Sequence, residues 1–453
     1  MRGLVFLLAM AGLLPMAAVA PMVGVIAYYW ISFMSPQMEV WGIAAAPPWA
    51  LLSVLATLIG CVVAREPKRL PANGMVVLVI LFLILTSVSS LFALGPPELV
   101  LPAWTQEIKV LLFLLALASL LESRHRLHAL IWVMVISLGF YGVAGGLFAI
   151  ATGGHARVWG PPDSIIGDNN QLAAALLIVL PLMNYLRLQS AHRIVRNGLT
   201  VAMLLVLLSV LASYSRGALV GLAAMGLFFW WNSRHRLLTG AIMALALAVG
   251  LSFMPADWKD RMMTIDHYHQ DASAENRLTV WGEAFGIALA RPFTGGGYDS
   301  TKTAQVLHRF YPNAILRAAH SIWFEVLSEN GFPAFFVWLG MLLLGFVNVR
   351  RVRRLARGDP ALAWADDLAR MTQVSLIAFV SAGTFLSIGY YDLFFALLIA
   401  LAATRDVLRR AAAAAEPVVA HPSSVSLPGG RTRIVRPVRP GAIPAWRLRR
   451  IVR

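Results

Sequence analysis

At 453 residues the chain is long enough for several soluble domains, but its composition excludes them. Hydrophobic residues make up 59% and charged residues only 13%, against about 25% charged in soluble domains. The net charge is +16 and the mean hydropathy +0.71. Charge-free runs of about 20 residues match the roughly 30 Å apolar core of a bilayer. The pattern predicts an all-α polytopic membrane protein. The single cysteine, Cys61, sits in an apolar run and excludes an intramolecular disulfide.

In chain order, apolar segments fall at 3–34, 45–64, 74–94, 105–121, 127–152, 168–186, 196–213, 215–232, 236–254, 320–347, 371–388 and 391–404. The first contains Pro15 and Pro21 and is too long for one straight span. It is either one tilted, broken helix or a re-entrant pair. Ala18-Val19-Ala20 looks like a signal-peptidase site, but Pro21 follows directly, so a retained anchor is expected. Short basic connections carry Arg65 to Arg69, Arg124 to Arg126, Arg187 to Arg196, Arg234 to Arg236 and Arg350 to Arg357. With 3–34 counted as one crossing, all of them fall on one side together with both chain ends, as the positive-inside rule requires. The expectation is therefore about 12 transmembrane helices with both termini cytoplasmic. Tyr28-Tyr29-Trp30 and Trp230-Trp231 read as interface belts.

Four regions follow from this count. Residues 1–254 hold helices 1–9, and 255–319 form a long outer loop, partly helical, between spans 9 and 10. Residues 320–404 hold helices 10–12, and 405–453 form a basic tail. From Thr404 onward the chain has eleven arginines against Asp406 and Glu416, a net +9. Such a tail suits anionic lipid headgroups; with Trp446 its only aromatic, nucleic acid is not an expected partner. A 65-residue loop without a disordered composition points to function. A twelve-span transporter is the competing class, but the charges collect at one face, and the loop has no counterpart in the other half.

Chemistry concentrates around that loop. Arg216, in Ser215-Arg216-Gly217, opens an inward-running helix; a guanidinium beside a helix N-terminus suits an anion such as phosphate. His320 occupies the equivalent place on the next span, where a helix N-terminus keeps the ring neutral and available as a base. Glu325 lies one turn deeper and needs a partner, either His320 or an arginine. Arg277 is a third cation, on an amphipathic stretch ending at Arg291-Pro292, before Gly295-Gly296-Gly297. Asp168, Asn169 and Asn170 open the sixth span after a polar stretch from Arg157, a density suited to a hydrogen-bonding ligand such as sugar. His267 and His269 lack a second ligand cluster, so no metal site is expected. No nucleotide-binding loop occurs.

Ser215-Arg216-Gly217, Arg277 with Trp281 and Gly295 to Gly297, and Ala319-His320-Ser321 with Glu329-Asn330-Gly331 resemble the O-antigen ligase and polymerase superfamily over residues 5–400. The stretch Arg157 to Gln171 further resembles O-glycosylation ligases associated with exosortase systems. The resemblance implies an inverting glycosyltransferase of the bacterial inner membrane with its site facing the periplasm. The donor would be an undecaprenyl pyrophosphate-linked glycan. The acceptor would be lipid A–core, or in sibling activities a growing polymer or a protein. Neither metal, nucleotide nor other cofactor is implied. Arg216 and Arg277 would bind pyrophosphate and His320 would act as general base. Asp168, Asn169, Asn170, Arg291 and Glu325 are supporting candidates. Where the family commonly has Asn after the histidine, this chain has Ser321.

Overall fold

The computed structural model describes residues 1–64, 70–233, 235–256, 258, 272–415, 424–426 and 432–434. His267, His269, the basic run 65–69 and most of the tail lie outside the described residues. Fifteen helices are described. They are α1 (Arg2–Val19), α2 (Pro21–Met34), α3 (Trp49–Val63), α4 (Gly74–Leu91), α5 (Pro97–Leu120), α6 (Arg124–Ala151), α7 (Asn169–Gln189) and α8 (Arg193–Ala212). After them come α9 (Arg216–Asn232), α10 (Arg236–Phe253), α11 (Ala272–Ala290), α12 (Ala304–Phe310), α13 (Ile322–Ala356), α14 (Ala363–Gly383) and α15 (Asp392–Ala415). Besides these α-helices the described residues hold three short 3-10 turns, Pro36–Glu39, Gly42–Ala44 and Pro360–Leu362, and a short antiparallel ribbon, Ser424–Ser426 against Thr432–Ile434. Seven described helices are long and apolar enough to cross a membrane, and three more are apolar but shorter. The protein is a multi-pass helical membrane protein, but these lengths do not reproduce a count of 12.

The opening segment departs from a single crossing. The helix stops at Ala20 (φ −124°, ψ 91°), and Pro21 starts a new one at its first position, where its missing N–H costs nothing. α2 folds back on α1: a Cβ on Gly24 would lie 2.9 Å from that of Ala17, and the Phe6 and Trp30 rings are 5.8 Å apart. Ser32 donates to Asp392 at the start of α15, so α2 ends and α1 begins near that end of the bundle. Asn73, before α4, donates to Asp406 at the other end. α1 thus begins, and α15 ends, at opposite ends of the helix bundle. Tyr28 and Tyr29 are not interface residues. Both are buried against Phe113, and the Tyr28 hydroxyl donates to Asp392.

Among the described residues four α-helix starts are capped by a side chain. Asn73, Ser123, Asp168 and Ser215 each accept a backbone N–H from the first turn of α4, α6, α7 and α9, an interaction worth about 1 kcal/mol per cap. One continuous apolar core runs from α2 to α15. α7 and α15 form its centre, with Ala173 to Val179 and Leu393 to Ala402 essentially inaccessible. α6 approaches α8 so closely that a Cβ on Gly146 would strike the Leu205 backbone, the small-residue contact expected where lipid supplies no hydrophobic drive.

α13 is two stacked helices, since Gly331 (φ 75°, ψ −179°) interrupts it before Pro333. The carbonyls freed by the break are taken by the glycine loop: Gly296 N–H donates to Ser328 O (2.8 Å) and Gly297 N–H to Glu329 O (3.0 Å). Phe332 N–H donates to Pro292 O (2.8 Å). Irregular backbone at such depth survives only with every group satisfied. Gly295 has φ +62°, and a Cβ there would lie 2.6 Å from Ser328 O. Gly295→Ala is therefore expected to destabilise by at least about 1–3 kcal/mol from backbone conformation alone. Gly282→Ala, on α11 with open space around it, should be neutral or better. Thermal melts of detergent-purified variants compare the two.

Candidate active site at the loop end of the bundle

Four elements meet where the long loop returns to the bundle. Asn276, Arg277 and Val280 of α11 and Arg317, Ala318 and His320 before α13 line a cavity of about 310 Å³. Two arginines and a histidine on one small cavity can bind an anion and exchange a proton beside it. The Trp281 indole fixes the approach of the two elements: it donates to Ala319 O (2.8 Å) and stacks on Phe324.

His320 carries a left-handed backbone (φ +45°), a conformation for which His is several-fold enriched but which still strains a side chain. Ser321 is the N-cap, so His320 stands one residue outside the helix. It lies at the mouth of the cavity, exposed overall. Partial burial of the ring and, after it, the Arg277 charge hold the imidazole below its usual value; Asp168 opposes this, and Lys302 adds to it. The ring is therefore biased toward the neutral, proton-accepting form.

Arg216 opens α9 as expected, with Ser215 as N-cap, but it is not among the residues lining the cavity. The turn before it is strained at Tyr214 (φ +59°) and laced to the loop after α6. Tyr214 OH donates to Gly154 O (2.8 Å), Asn169 Nδ2 to Ser213 O (2.6 Å), and Arg157 lies over the Tyr214 ring. Asn169 is thus a buried brace. Asp168 caps α7 by accepting from the Asn170 N–H and side-chain amide (2.8 and 2.9 Å), and its charge reaches His320.

Arg291 is a brace too. It donates to Gly295 O, Phe92 O and Thr294 Oγ1 (2.7, 2.6 and 3.0 Å), tying the end of α11 to α4 rather than facing the cavity. Among the described residues Glu325 pairs with neither His320's ring nor an arginine; its Oε2 accepts from Gly389 N–H (2.8 Å). Among the described residues no group of side chains is arranged to hold a metal ion.

The sequence reading missed Arg317 and the segment Thr384–Ser387. Arg317 was only one of seven basic residues in the loop, yet it lines the cavity and faces Glu283, whose carboxyl is pushed up by burial and pulled down by that guanidinium. Phe385 lies 3.5 Å from where a Gly217 Cβ would be and 6.3 Å, ring to ring, from Trp281. Thr384 accepts from the Trp323 indole (3.0 Å). This short connection is what joins the start of α9, α11 and the start of α13.

Residues 201–339 match the family described as O-antigen ligase. That segment is similar to the O-antigen ligases. It contains Arg216, Arg277, Arg317, His320 and Glu325, so the resemblance read from short motifs is borne out over the part of the chain that holds them. Residues 1–191, with Asp168 to Asn170, match a family of unknown function (DUF5935), so the O-antigen ligase match is narrower than 5–400. No curated protein matches the chain. The O-antigen ligase match supports a membrane enzyme of the ligase and polymerase type, in a setting of lipid-linked glycans.

Proposed function

We propose that the protein transfers a glycan from undecaprenyl pyrophosphate to a hydroxyl of lipid A–core at the periplasmic face of the bacterial inner membrane. The observation that carries this reading is the grouping of Arg277, Arg317 and His320 around one cavity, inside the O-antigen ligase match. The acceptor O–H gives its proton to the His320 ring. The acceptor oxygen attacks the anomeric carbon opposite the pyrophosphate, and the carbon–oxygen bond to phosphate breaks. Its electron pair goes to the pyrophosphate oxygen, and the anomeric configuration inverts. Arg277 and Arg317, with Arg216 at the neighbouring helix start, neutralise that departing charge; guanidinium binds phosphate oxygens bidentately and keeps its charge. Cleavage of the activated sugar–phosphate bond drives the reaction.

The test offers purified protein in nanodiscs a lipid-linked glycan with lipid A–core, a lipid-linked glycan acceptor or a protein acceptor, each with and without EDTA. Glycan on lipid A–core, undiminished by EDTA, is the expected product. Chain extension alone would make the enzyme a polymerase, and a glycosylated protein would make it a protein ligase. Loss in EDTA restored by a divalent cation would overturn the proposed metal-independent mechanism.

A further inference from the structure

We propose that Ser387 is a positioning residue for the base, an inference that rests on the reading of His320 above. The segment bearing Ser387 lies outside both family matches, in the connection between α14 and α15. The His320 N–H donates to Ser387 Oγ at 3.0 Å, across 67 residues of sequence. The hydroxyl accepts there, because a backbone N–H can only donate.

Glu325 is held by Gly389 N–H, and Gly389 O accepts from the Trp338 indole (2.9 Å). Ser387 therefore projects from an anchored segment. The neighbouring hydroxyl does not do this work: Ser321 Oγ is buried with no hydrogen-bond partner. His320 adopts a strained φ of +45°, which persists only where surrounding contacts over-determine it. Ser387 supplies the one hydrogen bond to that residue's own backbone N–H among the described residues. Without it the residue can relax to an extended conformation, and the imidazole would leave the cavity mouth beside Arg277.

The experiment compares wild type, Ser387→Ala and Ser387→Thr in two assays on the full-length protein in nanodiscs. One is transfer kinetics. The other is carbethoxylation of His320 by diethyl pyrocarbonate across pH, read by peptide mass spectrometry and independent of any substrate. Ser387 is only partly buried, so a threonine methyl can be accommodated. Ser387→Ala is expected to lower kcat by roughly 10- to 100-fold, as for a misplaced catalytic group, with donor KM within about twofold. His320 should change its carbethoxylation rate and pH midpoint, and Ser387→Thr should restore both.

Wild-type kcat and His320 modification in Ser387→Ala would overturn the proposal, as would equal damage from alanine and threonine. If wild type transfers nothing from any lipid-linked donor, while alanine alters His320 modification and threonine restores it, the positioning role stands and the proposed reaction falls.

Discussion

His320→Ala is expected to lower kcat for glycan transfer by about 10²–10⁴-fold, the usual worth of a positioned general base, while donor binding stays near wild type. Deprotonation of the acceptor matters in the transition state, whereas the lipid pyrophosphate is held by arginines. Wild-type activity should fall with pH as the imidazole takes up a proton and ceases to be a base. Because partial burial and Arg277 hold His320 below its usual value near 6.5, the acid limb should lie on the acidic side of that value. The neighbours give the sign of further shifts. Asp168→Asn removes a charge that favours imidazolium, so the limb moves to lower pH; Arg277→Ala removes one that disfavours it, so the limb moves up. A pH–kcat series on wild type and these two variants checks this, and a limb unmoved by either change would remove His320 from the role of base.

Arg277→Ala is expected to be nearly as damaging, at about 10²–10³-fold in kcat/KM, the range for loss of one preorganised donor to developing charge. Donor affinity and rate should fall together, since the pyrophosphate is anionic before and after transfer. Arg277→Lys should recover only part of the loss, because the charge returns without the planar fork. Arg216→Ala should weaken the donor in the same way, from its place at the start of α9. Kinetics with donor titration separate affinity from rate. If Lys restored Arg277→Ala fully, the interaction would be one of charge alone.

Much of the architecture could be read from hydropathy, because a bilayer demands long apolar helices and little else matches them. The helix starts at Arg216 and Asp168 were equally legible, since Ser215 and Asp168 are capping residues placed ahead of apolar runs. What escaped was geometry carried by bonds between distant residues. The fold-back at Ala20-Pro21 depends on Gly24 meeting Ala17 and Thr57, and proline alone signals a break without its angle. Arg291 and Asn169 were polar residues in suggestive places, but both spend their hydrogen bonds on backbone carbonyls. Ser387 gave no signal, because one serine near the end of an apolar segment looks like any other. Arg317 was one guanidinium among several, singled out only when the loop folded against α11.

The interruption of α13 at Gly331 bears on how the enzyme meets its lipid surroundings. An unbroken helix of 35 residues would carry its tip up or down as it tilted to match bilayers of different thickness. Here Ser328 and Glu329 above the break are laced to Gly296 and Gly297, Phe332 just below it is bonded to Pro292, and the junction is a single residue without a side chain. The loop thus grips both sides of the break, and the upper part is expected to keep its height relative to the loop while the helix beyond Phe332 follows the hydrocarbon. His320 would then take its elevation from protein rather than from the membrane.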